Sequence, residues 1–105
     1  MAQATYANTP VEVNEQGFFA DPSQWTEEMV PEIAASVGLD EISERHMEVV
    51  RFQRAQFEEN GDGVSVRALS KLSGVSVKEL YALFPKGPAK LSSLIAGIPK
   101  PHGCI

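Results

Sequence analysis

The chain has 105 residues, enough for one small domain and too few for two. At 43% hydrophobic and 22% charged it is too apolar for disorder, and a single cysteine excludes an internal disulfide framework or a Cys-rich zinc site. The net charge of −5 is unevenly divided: residues 1–62 carry thirteen acidic side chains against three arginines, and residues 63–105 carry six basic ones against Glu79 alone. That division fits the C-terminal half to an anionic partner, unless the two halves fold together and neutralise each other. No apolar run approaches the ~18 residues of a membrane span. Met1–Thr5 lacks the basic and apolar regions of a secretory signal, so a cytoplasmic, reducing setting without a membrane partner is expected.

Val11-Glu12-Val13 alternates apolar and polar, Asn14–Gly17 offers turn residues and Phe18-Phe19 resumes, which predicts a short β-hairpin closed by Asp21-Pro22. Thr26 stands as the N-cap of a helix to about Ser36, with Pro31 shortening it and Gly38 stopping it. Trp25, just before, reads as a core anchor. The strongest helix runs from Ser43 to Glu59. Ser43 caps it, Met47, Val50 and Phe57 share one side, and Val49 and Phe52 lie beside them. His46, at the edge of that stripe, reads as structural.

After the Asn60–Gly63 loop come two short helices, Val64 to Leu72 and Ser76 to Phe84, joined through Ser73-Gly74-Val75 in a helix-turn-helix pattern. In a DNA-binding version the second helix would present Lys78 and Tyr81 to a nucleic acid, although so few cations make a thin electrostatic footprint. Pro88 starts a third short helix that ends near Ala96. The division expected is a single helical domain over residues 1–96 and a flexible C-terminal arm over residues 97–105. Pro99 and Pro101 forbid helix in that arm and stiffen it, while Gly97 and Gly103 supply bends. At ~3.1 Å per residue the arm would reach roughly 25–30 Å, carrying the chain's only thiol, Cys104, away from the body. Lys100 and His102 lie close in sequence, where positive charge would favour the reactive thiolate.

The run Leu83-Phe84-Pro85-Lys86-Gly87-Pro88-Ala89-Lys90, followed by Ile95-Ala96-Gly97-Ile98-Pro99-Lys100-Pro101 and Cys104, resembles the DsrC/TusE family of sulfur-relay proteins, also described as the dissimilatory sulfite reductase gamma subunit. Gly17-Phe18, Trp25 and Ser43-Glu44-Arg45-His46 extend the resemblance over most of the chain. It implies a mostly α fold: a small helical domain with a helix-turn-helix-like core, a short N-terminal β-hairpin and an extended C-terminal arm. It further implies that Cys104 carries sulfur as a persulfide, with Gly97, Pro99, Lys100, Pro101, His102 and Gly103 as the supporting arm. The implied partners are sulfur donor and acceptor proteins, from sulfite reductase or from transfer RNA thiolation, with no cofactor and no metal. Such a protein acts as a co-substrate of other proteins rather than as a stand-alone enzyme. Members that work with dissimilatory sulfite reductase carry a second cysteine eleven residues before the last. Ser93 occupies that place here, which excludes a disulfide between two arm thiols and brings the pattern closer to the TusE-like carriers. A gamma-like subunit of sulfite reductase and a DNA-binding regulator are the alternative readings.

Overall fold

The chain enters through a tight turn at which two residues take the left-handed conformation, Ala7 at φ 50° and Asn8 at φ 62°. Positive φ at both central positions matches the twist of a two-residue hairpin. It joins β1 (Ala2–Tyr6) to β2 (Thr9–Val13), antiparallel from Ala2 opposite Val13 to Tyr6 opposite Thr9. Pro10 is accepted because neither strand is central to a larger sheet. Val11 and Val13 point inward, whereas Glu12 between them is exposed. The hairpin expected between Val11–Val13 and Phe18-Phe19 survives only as a single bridge from Val13 to Phe19. Its turn is held by Asn14, whose Oδ1 accepts from the amides of Gln16 and Phe18 at 2.9 and 3.0 Å. The strand that completes the ladder lies upstream, where Ala7-Asn8 gave no glycine signal.

A computed structural model describes residues 2–101, so the expectations for His102, Gly103 and Cys104 lie outside the described residues. Beyond the hairpin, a 3-10 turn at Glu27–Met29 leads into α1 (Val30–Ser36). Pro31 falls in the first turn of α1, where its missing amide costs nothing. Thr26 has the extended backbone of an N-cap, yet its hydroxyl makes no capping bond, because the segment opens as 3-10 helix. The helix α2 (Glu44–Asn60) begins with a reciprocal cap: Ser43 Oγ accepts from the His46 amide at 3.3 Å, and the Ser43 amide donates to His46 Nδ1 at 3.0 Å. With Nδ1 accepting, Nε2–H donates to the Leu83 carbonyl at 2.9 Å, and the ring stands edge-on to Phe84. His46 is structural, as expected, and ties α2 to the end of a later helix.

Two short helices, α3 (Val66–Ser73) and α4 (Val77–Leu83), follow, capped by Ser65 and Ser76, with Gly74 at φ 82° between them. The helix α5 (Pro88–Ile95) is buried on every side except at Lys90 and packs against α1, α2, α3 and α4. A short helix with one charged residue and small or apolar residues on its other sides is suited to the centre. The core gathers Phe18 and Phe19 from the bridge, Met29 and Ile33, Val49 and Val50, Leu69, Leu80, Phe84, Leu94 and Ile95.

Three polar side chains, Gln53, Ser92 and Ser93, sit inside among the described residues. Gln53 is fully buried; its Oε1 accepts from the Val64 amide at 2.9 Å, and its Nε2 donates to the Val64 carbonyl at 3.2 Å and to Ser92 Oγ at 3.1 Å. It thereby satisfies both backbone groups of a loop residue that has no strand to pair with. Ser93 is also fully buried, within α5 rather than on an arm, and its hydroxyl has no hydrogen-bond partner among the described residues.

The ion pairs among the described residues run from Arg45 to Glu48 and Glu79, and from Arg51 to Glu27 and Glu44. None of these pairs uses a lysine of the basic half. No helix of the described residues is long and apolar enough to cross a membrane.

Candidate functional site

The region that leads to Cys104 begins where α5 ends. Ala96 closes the helix and Gly97 takes φ 69°, with the Gly97 amide donating to the Leu94 carbonyl and the Ile98 amide to the Ser93 carbonyl, each at 3.1 Å. This pair of bonds is a Schellman motif, and the apolar residue after the glycine, Ile98, is inserted fully into the core. The chain then turns across the α2–α3 loop. A Cβ placed on Gly63 would lie 3.0 Å from Ile98 Cδ1, from Pro101 Cγ and from Gln53 Oε1. Gly63 is thus the seat on which the segment rests, and Gln53 holds that seat from below.

Side chains from elsewhere grip the same helix end. Trp25 Nε1 donates to the Ile95 carbonyl at 2.8 Å. Arg54 Nη1 donates to the Ala96 carbonyl at 2.7 Å and Nη2 to the Pro22 carbonyl at 3.3 Å, with the guanidinium 4.3 Å above the Trp25 ring. Burial holds the Arg54 pKa below the ordinary arginine value. Gly97 lies so close that an added Cβ would come within 2.3 Å of Trp25 Cδ1. Trp25 is therefore the anchor the sequence indicates, applied to one helix terminus.

The arm expected from residue 97 does not leave the body there. Gly97 and Ile98 are buried, Pro99 is half-buried, Lys100 is exposed and Pro101 is buried again. Gly97 acts as a helix stop against the indole rather than as a free bend. The physical reason is that an X-Pro-X-Pro stretch forbids helix but not packing, and Ile98 and Pro101 both find apolar seats. Cys104, His102 and Gly103 follow beyond the described residues. Arg54 and Gln53 escaped the sequence reading because their partners lie eleven to forty-two residues away.

Lys78 and Tyr81 are both exposed on α4, as are Val77 on the same helix and Leu72 on α3. Arg45, which reaches α4 through Glu79, and Arg54, which grips the α5 end, stand nine residues apart on α2, about 13 Å of helix. The structure does not bring the α4 pair together with the segment at Gly97–Pro101. An open groove of about 360 Å³ between the hairpin and α1, lined by Tyr6, Asn14, Glu15, Ser36 and Leu94, holds none of the expected site residues. Among the described residues no three metal-ligating side chains gather.

Residues 5–105 match the family model described as "DsrC like protein". The chain is 40% identical over its full length, and over the full length of the relative, to the gamma subunit of dissimilatory-type sulfite reductase from Nitratidesulfovibrio vulgaris. It is 38% identical over 102 residues to the sulfurtransferase TusE of Yersinia pseudotuberculosis, covering 90% of this chain and 94% of that one. The solution structure of Allochromatium vinosum DsrC superposes with a TM-score of 0.86 at 32% identity, covering 98% of this chain and 97% of that chain. With its helical body, N-terminal hairpin and matched C-terminus, the chain belongs to the DsrC family.

Proposed function

We propose that this protein is a sulfur carrier in a relay between proteins, with Cys104 as the atom-bearing site. The observation that carries the reading is the construction at the end of α5: a buried, side-chain-gripped base delivers the chain to its only thiol three residues from the last described contact. Both curated relatives have names that fit, one a sulfurtransferase and one a sulfite reductase subunit.

The step is a thiol–disulfide type exchange. The Cys104 thiolate attacks the terminal sulfur of a donor persulfide, a new sulfur–sulfur bond forms on Cys104, and the donor's own sulfur–sulfur bond breaks. The donor cysteine leaves as thiolate, so the exchange has no net oxidation. An acceptor thiolate then attacks the terminal sulfur on Cys104 and regenerates it. Lys100 is exposed at the start of this stretch and favours the anionic forms of Cys104. Three residues beyond Pro101, the Cα of Cys104 is limited by covalent geometry to about 11 Å from the Cα of Pro101, so a partner must approach the Gly63–Pro101 contact closely.

Incubation with glutathione persulfide followed by mass spectrometry tests this. A gain of about 32 Da, one sulfur, is expected on the wild-type chain and absent in Cys104→Ser. Failure of the wild type to gain sulfur would overturn the reading.

The match to a sulfite reductase gamma subunit over both full lengths favours a second reading, a subunit-like partner of that enzyme. Co-purification with dissimilatory sulfite reductase that survives Cys104→Ser would support it. A nucleic-acid role for Lys78 and Tyr81 draws less support, because the exposed residues of α3 and α4 include the apolar Leu72, Val77 and Tyr81 beside only three cations, Arg67, Lys71 and Lys78.

A further inference from the structure

Three arginines on α2 are used in two different ways. Arg45 and Arg51 face outward and pair with glutamates, the usual fate of a surface cation. Arg54 makes no ion pair within 4 Å among the described residues. Its two nitrogen arms go to the carbonyls of Ala96 and Pro22, and its flat face covers Trp25. A helix leaves its last carbonyls without partners, and solvent ordinarily supplies them. At the end of α5 the two that matter most for the onward direction, Ile95 and Ala96, are taken by an indole N–H and a guanidinium.

The carbonyl of residue 96 belongs to the peptide plane that also carries the Gly97 amide. Fixing it fixes the rotation of the chain as it enters the left-handed glycine, and Gly97 cannot relax because Trp25 fills the space beside it. Downstream, Pro99 and Pro101 each lock one backbone torsion, and Ile98 and Pro101 are seated in the body. An orientation set at Gly97 is therefore passed along a segment with little freedom to lose it.

We propose that Trp25 and Arg54 are positioning residues for sulfur exchange at Cys104: by clamping the Ile95–Gly97 peptides they set the place and direction in which the chain arrives at Pro101, three residues before the thiol. This rests on the reading of Cys104 as the carrier. The sulfur atoms never touch either residue; the clamp determines where a protein partner meets them. Placing a reacting group correctly is worth a large factor, since a displacement of about 1 Å can cost about a hundredfold in rate.

Cys104 is the only cysteine, so a nitroxide attached to it reports the tail without further mutation. The experiment compares nitroxide-induced broadening of backbone amide signals in wild type, Trp25→Phe, Arg54→Met and Arg54→Lys. In the wild type, broadening is expected to concentrate around Gly63 and the α2–α3 loop. Trp25→Phe keeps a ring but loses the donor, and Arg54→Met keeps the length but loses the charge; in both, broadening is expected to spread over the body. Arg54→Lys retains the cation and should restore part of the wild-type pattern. Thermal melts accompany each variant, and Trp25→Phe, the mildest change, decides if Arg54→Met is unfolded.

An even spread already present in wild type, or an unchanged pattern in folded Trp25→Phe and Arg54→Met, would overturn the proposal. Alkylation of Cys104 by iodoacetamide should stay within about twofold of wild type in every folded variant, because a small reagent needs no docking direction. A larger change would mean that these residues act on the thiol itself and would also overturn the positioning role. If the wild type takes up no sulfur from glutathione persulfide, the carrier reading fails, and the positioning role falls with it whatever the broadening shows.

Discussion

Gly74 and Gly97 both stand at helix ends, in opposite surroundings. Both are left-handed, at φ 82° and 69°, and both follow a short helix. Beside Gly74 there is open space within 4 Å, and the neighbouring α3–α4 surface exposes Leu72, Val77 and Tyr81. Beside Gly97 stands Trp25, with Arg54 above it and Ile98 buried beyond it. One glycine answers to backbone conformation only, the other to conformation and to packing together. A motif recognised by its glycine can therefore be a simple turn or a keystone, and only the neighbours decide.

The contrast is broken most directly by placing a methyl group at each position. Gly97→Ala combines left-handed strain with displacement of the indole and is expected to cost about 3 kcal/mol or more. Gly74→Ala incurs strain alone, about 1–2 kcal/mol. Chemical denaturation of both variants measures the difference, and equal losses would show that the Trp25 contact carries no weight. Gln53→Leu comes next: it strands the amide and carbonyl of Val64 and loosens the seat at Gly63, for an expected loss of about 2–4 kcal/mol. The same variant should increase amide exchange at Val64 more than at Ala68, whose cap is provided by Ser65.

Ser93→Ala works in the other direction. Its hydroxyl is buried without a partner, so deleting it is expected to raise stability by about 1 kcal/mol or leave it level. A marked loss would reveal a bond to the hydroxyl in solution. The smallest effect is electrostatic and lies at the edge of the α4 side. The Arg45 guanidinium beside Glu79, and that of Arg51 beside Glu27, hold these exposed carboxyls below the usual glutamate value of 4.5. A carboxyl with a depressed folded pKa stabilises the protein above its unfolded pKa and loses that contribution as pH falls through the folded one. The Tm difference between wild type and Glu79→Gln should therefore be small near neutrality and shrink as the pH falls below 4.5 and through the lowered folded pKa.

How far the sequence could be read follows the same division. The cap Ser43, the turn at Ser73-Gly74-Val75 and the start at Pro88 are local signals, and the helices they delimit lie within two residues of expectation. The first strand went unread because a left-handed Ala7-Asn8 pair lacks the glycine that usually marks such a turn. Gln53 looked like one more polar residue on an amphipathic helix, since its loop partner is invisible until the chain folds. The penultimate cysteine could be singled out from its sequence alone. The base beneath it could not: the grip on α5 is assembled from residues 22, 25, 54 and 95–97, brought together only by the tertiary fold.

The chain's only tryptophan stands where Gly97 meets the body, with a cation 4.3 Å from its ring. It is a built-in optical gauge for that one junction. Emission intensity and wavelength will follow the guanidinium and the peptide carbonyl beside it, so a docking partner that shifts the helix end by a fraction of an ångström becomes visible in unlabelled protein.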